Sequence, residues 1–215
     1  MNDDTALTID IVSDVVCPWC YLGKAHLERA LESFEGDVIV RWHPYQLDPT
    51  IPKAGFDRAT YMAQKFPNAD QLKAAHERLE QLGHKQNLAF NFQAIKRSPN
   101  TLDAHRVIQW AQEAGVQNQV VTALFKAYFE EGKDIGDRIT LADIAEQAGL
   151  DRGLVERGFA NDVDIDAILA EIDEAKRIGV TGVPFFILDR RLAVSGAQPP
   201  EMLLEAMRQA QTPST

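Results

Sequence analysis

The segment that most constrains this chain is "SDVVCPWCYLGKAHLERAL", Ser13 to Leu31, which holds both of its cysteines, Cys17 and Cys20. Ahead of it, Leu7, Ile9 and Ile11 alternate with Thr8, Asp10 and Val12, the period of a strand with one better-buried face. Behind it, Leu22, Leu27, Ala30, Leu31 and Phe34 recur at helical spacing up to Gly36. "DVIVRW", Asp37 to Trp42, is a β-branched strand, and Pro44, with no N–H to give, marks its end or a bulge. Strand, helix, strand is a βαβ unit, and it carries two thiols on the first turn of its helix.

Thiols so placed have three readings: a redox pair, half of a metal site, or two buried cysteines that are close by chance. At CxxC spacing they can close into a disulfide without moving the backbone far. Cys17 sits where unpaired N–H groups and the positive end of the helix dipole converge, which favours thiolate over thiol. It is the candidate nucleophile; Cys20, one turn further in, is the candidate resolving thiol. Pro18 presets the backbone at the first helical position, and Trp19 offers an apolar face but no charge, so a thiolate less acidic than the extreme CxxC cases is expected. A closed zinc site needs four ligands, and the chain has neither a second CxxC nor an HxxxH; His26 points away on a regular helix. Free cysteine is commonly buried, but a helix start is not where a merely packed thiol is expected.

From about Phe56 to Gly179 the periodicity is helical, apart from an ambiguous "LAFNF" at Leu88 to Phe92. Leu72, Ala75, His76, Leu79 and Leu82 form one stripe, and Ala104, Val107, Ile108 and Ala111 a second. Val121, Leu124, Phe125 and Tyr128 form a third, and Ile165, Ile168, Leu169, Ile172 and Ala175 a fourth. Thr140 and Asp143 resemble a capping box, with Gly149 placed to end that helix. "FDRATYMAQKF", Phe56 to Phe66, reads as a helix facing the core or a partner. Strand signal returns as "VPFFIL", Val183 to Leu188, and "RLAVSG", Arg191 to Gly196, joined at Asp189 and Arg190 as a hairpin. A last helix runs from Pro200 to Gln211 before a frayed "TPST" tail.

Composition narrows the function classes. The chain has 215 residues, and 32 acidic against 22 basic side chains leave a net charge of −10, a field that repels phosphate backbones and anionic lipid. Nucleic acid and membrane are therefore not expected partners. No basic and apolar leader opens the chain and no long apolar run crosses it, so a cytoplasmic setting is expected. A reducing cytosol disfavours a permanent staple, which again leaves CxxC as metal-binding or catalytic.

Four segments resemble the DsbA-like branch of the thioredoxin superfamily, specifically the FrnE-like proteins. They are "SDVVCPWCYLGK" (Ser13 to Lys24), "SPNTLDAHRVIQWA" (Ser98 to Ala111), "GVTGVPFFIL" (Gly179 to Leu188) and "SGAQPPE" (Ser195 to Glu201), in order across nearly the whole chain. The resemblance implies an α/β thioredoxin fold with a large all-helical insertion: residues 1–55 and 180–215 as the thioredoxin-like domain, 56–179 as the inserted one. It implies thiol–disulfide exchange on protein or small-molecule thiols and disulfides through Cys17 and Cys20, with no metal or organic cofactor. It implies a cis Val183–Pro184 bond facing the CxxC, Val183 pairing with substrate backbone and Pro184 keeping other ligands off the thiols, and a homodimer as an unsurprising assembly.

Related glutathione-dependent proteins, the 2-hydroxychromene-2-carboxylate isomerases and kappa-class glutathione transferases, carry serine where this chain has Cys17. Both thiols here argue for dithiol exchange, with glutathione as a redox partner; a glutathione-dependent isomerase or transferase and a non-catalytic binding or chaperone module are the alternatives. Some FrnE-like proteins carry a second cysteine pair, which this chain lacks. The resemblance places the helix starting at Asn100, Thr101 and His105 near the cleft. Asn100 reads first as a cap, and His105, opposite the apolar stripe, as solvent-facing or turned to the cleft. Asp14 reads as a cap for the CxxC helix, or second as a proton shuttle for Cys20. His43 and His76 read as structural histidines.

Overall fold

The computed structural model describes residues 6–211, so the "TPST" tail lies outside the described residues. The strand read from Leu7, Ile9 and Ile11 is β1, Leu7–Ser13. It leads through the CxxC into α1, Pro18–Leu31, and back to β2, Val38–Pro44, which pairs parallel to β1 with Ile9 opposite Val40 and Ile11 opposite Trp42. Near the other end of the chain, β5, Phe185–Leu188, pairs antiparallel to β1, and β6, Leu192–Ser195, antiparallel to β5. The sheet order is thus β2-β1-β5-β6, completed by α9, Pro200–Gln211, which packs beside α1.

Period-two alternation sorts β1 between two layers. Leu7, Ile9 and Ile11 face the main core with Leu27 and Ala30 of α1 and Leu203 and Met207 of α9. Val12 faces a smaller cluster with Ala175, Val180 and Phe185. The hairpin is present, with Asp189 and Arg190 both at positive φ, 48° and 55°. Asp189 is tied to β1 as well: its Oδ1 accepts from the Thr8 N–H at 2.7 Å.

Between β2 and β5 the chain is mostly helical: α2, Arg58–Lys65; α3, Ala69–His84; α4, Leu102–Glu113; α5, Gln117–Phe129; α6, Arg138–Gln147; α7, Arg152–Ala160; and α8, Ile165–Arg177. Two-residue strands β3, Phe56–Asp57, and β4, Arg97–Ser98, pair antiparallel across the entry to α2, a feature too short for periodicity to register. "LAFNF" forms no strand. Phe90 and Phe92 are instead driven into an aromatic cluster with Tyr21, Phe125 and Phe129, while Asn91 N–H donates to the Phe129 carbonyl at 2.7 Å. Burial of two large rings decides that segment, not backbone pairing.

Three helix ends differ from their sequence readings. Helix α6 starts at Arg138 because the Asp137 carboxylate caps it, accepting from the Thr140 N–H at 2.9 Å; Thr140 is the capped residue, not the cap. Helix α1 ends at Leu31, short of Gly36, which takes φ 134° further along. Nor does Asp14 cap α1: the N-cap is Cys17, with no side-chain cap, because the Asp14 carboxylate is engaged elsewhere.

Candidate active site

The site forms where the C-terminal end of β1 meets the start of α1. Cys17 is the N-cap residue, in extended conformation, and Pro18 fills the first helical position, where its missing N–H costs nothing. The two cysteines are free thiols of unequal access. Cys17 is 4% exposed and lines a cleft of about 410 Å³, whereas Cys20 is wholly buried behind it. Burial above all, and then the neighbouring Cys17, push the Cys20 thiol well up from its ordinary pKa. The Ser13 hydroxyl and the Asp14 backbone draw it part of the way back. Ser13 Oγ is itself buried with no conventional hydrogen-bond partner.

The opposite wall comes from the turn into β5. The Val183–Pro184 bond is cis, and the Val183 carbonyl faces the nucleophile position, with Cys17 Sγ donating to it at 3.6 Å. Trp19, 37% exposed, stands at the rim beside Pro18, and both line the cleft with Val183. Cys17, Pro18, Trp19 and Val183 therefore line one opening, although 166 residues separate Cys17 from Val183, while Cys20 and Pro184 are buried behind it.

Asn100 and His105 form the scaffold behind the opening together with Asp14, which also lines the cleft. Asp14 is buried; its Oδ2 accepts from the Leu47 N–H at 2.8 Å and its Oδ1 lies 3.6 Å from His105 Nε2. His105 is 3% exposed and bonds the Tyr45 carbonyl at 2.8 Å, so it is turned inward and never reaches solvent. It does not line the cleft. Asn100 bridges, its Oδ1 accepting from the Leu102 N–H at 2.9 Å at the start of α4 and its Nδ2 donating to the Ile51 carbonyl at 2.6 Å. Together these hold the segment after β2 against the CxxC loop. His26 points away, to the Gln198 carbonyl at 2.9 Å.

The rest of the cleft was not legible as a site. Helix α2 buries none of its residues and presents Tyr61, Met62 and Lys65 to the cleft. The α3 stripe of Leu72, Ala75, His76 and Leu79 lines the same space. His76 stacks on Phe92 with ring centroids 4.0 Å apart, and burial, with the Arg58 charge second, holds its pKa below the usual value. The available sequence signal was the helical spacing of Leu72, Ala75, His76 and Leu79, which reads equally as core. Among the described residues, no group of three or more His, Cys, Asp or Glu is placed to hold a metal, and no helix is long and apolar enough to cross a membrane.

A family model described as a DSBA-like thioredoxin domain matches residues 8–208. The chain belongs to that family. This DsbA-like chain is 33% identical to the probable DsbA oxidoreductase of Streptomyces coelicolor, whose crystal structure superposes with a TM-score of 0.89 over 97% of this chain and 93% of that one. It is 30% identical over 184 residues to the Bacillus subtilis (strain 168) protein YwbO, spanning 84% of this chain and 86% of YwbO. The cytosolic disulfide reductase DsbM of Pseudomonas aeruginosa, solved with GSH, shares the fold at 19% identity and a TM-score of 0.64, over 95% of each chain. The DsbA-like architecture read from the four sequence segments is thus borne out.

Proposed function

We propose that this DsbA-like protein is a thiol–disulfide oxidoreductase that works by dithiol exchange through Cys17 and Cys20. One observation carries the reading: two free thiols at a helix start, the first opening on a cleft and the second buried directly behind it. In the reducing direction the Cys17 thiolate attacks one sulfur of a substrate disulfide, forming a mixed disulfide and expelling the other half as a thiolate that takes up a proton. Cys20 then loses its proton and attacks the Cys17 sulfur, leaving a Cys17–Cys20 disulfide and a second free thiol. The protein is oxidised by two electrons and the substrate reduced by two. Run backwards, the same steps oxidise a dithiol.

Pro18, Trp19, Val183 and Pro184 frame the substrate in this scheme, and the Val183 backbone is the pairing edge for a peptide. The chemistry requires no metal or organic cofactor. Glutathione is a natural redox partner in a cytoplasmic setting, a reading supported by the GSH-bound structure of DsbM. A redox titration of the cysteine pair against glutathione, run beside an insulin-reduction assay of wild type and Cys17→Ser, tests it. Formation of an internal disulfide and activity lost in Cys17→Ser are expected. No oxidation to a disulfide and no exchange by wild type would defeat the proposal; tight glutathione binding with an activity that survives Cys20→Ser would favour an isomerase or transferase.

A further inference from the structure

The cleft beside Cys17 is mainly apolar, yet Arg58 projects a full charge into it. Its Nη1 reaches only two hydroxyls, Ser98 Oγ and Tyr128 OH, both at 3.4 Å, and no carboxylate among the described residues lies within ion-pair distance of it. Every carboxylate in the neighbourhood is engaged elsewhere. Asp48 accepts from Thr50 and from Tyr61 OH at 2.9 Å, and Asp14 accepts from Leu47 N–H. Asp57 caps α2 through Thr60, and Asp134 lies 3.9 Å from Arg97. The second cation of the cleft, Lys65, likewise has no carboxylate among the described residues within ion-pair distance but is linked to one through a hydroxyl: its Nζ donates to Tyr61 OH at 2.8 Å, and Tyr61 in turn donates to Asp48. His76, the third basic group, has its pKa lowered by burial and secondarily by the Arg58 charge. A half-buried guanidinium with hydroxyl partners only is free to take a carboxylate in a bidentate, charge-assisted pair.

From this juxtaposition we infer that the cleft selects small disulfides that carry a carboxylate, with Arg58 binding the carboxylate while Cys17 attacks the disulfide sulfur. The inference rests on the dithiol-exchange reading and names its substrate class. Apolar walls at Met62, Leu72, Leu79 and Phe92 suit the body of such a molecule, and a space of about 410 Å³ is at the small-molecule end of ligand pockets. Exchange then follows the scheme above: Cys17 forms the mixed disulfide, one carboxylate-bearing thiolate leaves, and Cys20 releases the second.

The test compares two aromatic disulfides as oxidants of the reduced protein, 5,5′-dithiobis(2-nitrobenzoate), with two carboxylates, and the smaller 4,4′-dithiodipyridine, with none, each variant being compared with wild type for the same probe. Rates are followed by stopped flow for wild type, Arg58→Gln, Arg58→Lys and Arg157→Gln, the last removing an equal charge from the remote surface. Losing a charge-assisted contact should slow the carboxylate probe by about tenfold in Arg58→Gln and leave the neutral probe within about twofold. Arg58→Lys should keep most of the preference, and Arg157→Gln should change neither rate. Equal slowing of both probes, no slowing of either, or the same loss in Arg157→Gln would overturn the assignment while leaving dithiol exchange intact. Wild type unreactive towards both probes would instead remove the exchange reading, and the assignment with it.

Discussion

The ring of Pro184 rests against the backbone of Gly23, one turn beyond Cys20 on α1. A Cβ at position 23 would stand 2.8 Å from the Pro184 Cγ and 3.4 Å from the Phe186 ring. This close approach sets how near the cis-proline turn can come to the CxxC helix. Gly23→Ala should therefore behave unlike an ordinary helical Gly→Ala change. Helix propensity alone would stabilise by about 0.8–1 kcal/mol. Overpacking against a proline ring costs about 1–3 kcal/mol. A net loss of about 1 kcal/mol is expected in urea unfolding, together with slower exchange because Val183 is displaced from Cys17. A variant more stable than wild type, with unchanged activity, would show that the ring gives way freely.

Cys20 and Ser13 make the resolving step sensitive to pH. Burial is the largest cause of the raised Cys20 pKa, and it persists when Cys17 is tied up in a mixed disulfide. Below that pKa the thiolate fraction grows about tenfold per pH unit, so release of the mixed disulfide should accelerate with nearly unit slope from pH 6 to 8. Ser13→Ala removes a buried hydroxyl that draws the Cys20 pKa down and should slow release, with little effect on the first attack. Quenched-flow trapping of the mixed disulfide reads both. A pH-independent release rate would mean that the Cys20 proton is not what limits it.

Much of this arrangement was legible where a short segment carries its own signal. The CxxC at the end of an alternating strand, the proline that follows it and the hairpin after Val183 are local patterns, and each stands where the pattern put it. What failed was whatever depends on a distant partner. Asp14 looked like a cap because the sequence shows its distance from the helix start but not the Leu47 N–H that claims it. His105 is held by Tyr45, sixty residues away in the chain. Leu88 to Phe92 alternates like a strand, but no neighbouring strand edge pairs with it and Phe90 and Phe92 find rings to pack on. Arg58 carried no signal of its own and His76 read as a structural histidine, since their shared cleft exists only once α2 and α3 meet the CxxC loop.

His43 links β2 to β1 and α8, its Nε2 3.1 Å from Asp10 Oδ1 and its Nδ1 3.5 Å from Glu171 Oε2. Burial disfavours its charged form, but Glu171 and Asp10 outweigh that and hold its pKa above the ordinary value. A raised folded-state pKa gives stability that is fully present below the unfolded value near 6.5 and fades as pH rises through the folded one. Against His43→Gln, wild type should thus be more stable at pH 5.5 than at pH 8.5. With the ring 36% exposed, solvent screening limits the gain to about 0.5 kcal/mol. Denaturant midpoints at low salt across that range check it; a difference that grows with pH would contradict the pairing.

The largest single loss should come from Arg106, a fully buried arginine on α4. Its Nη1 donates to Asp103 Oδ1 at 2.6 Å, its Nε to the Val163 carbonyl at 2.8 Å and its Nη2 to the Gly158 carbonyl at 2.7 Å. The guanidinium also lies over the Trp110 and Phe159 rings, at 5.1 Å and 5.5 Å. One planar group thus ties α4 to α7 and to the turn before α8. Arg106→Met leaves two carbonyls unpaired and the Asp103 carboxylate with Arg138 as its remaining cation, at a cost of about 3–5 kcal/mol. Arg106→Lys keeps the charge but cannot serve three acceptors in one plane, so it should recover only part of that loss. Asp103 adds a pH signature. Burial raises its carboxyl pKa, Arg138 and Arg106 lower it more, and the net is below the usual carboxylate value. Such a depressed acid stabilises above its unfolded pKa, near 3.9, and loses that as pH falls through the folded one. The gap between wild type and Arg106→Met should accordingly be widest at neutral pH and narrow below about pH 4. Urea unfolding at pH 7 and pH 3.5 separates this from a pure packing defect, which would leave the gap unchanged.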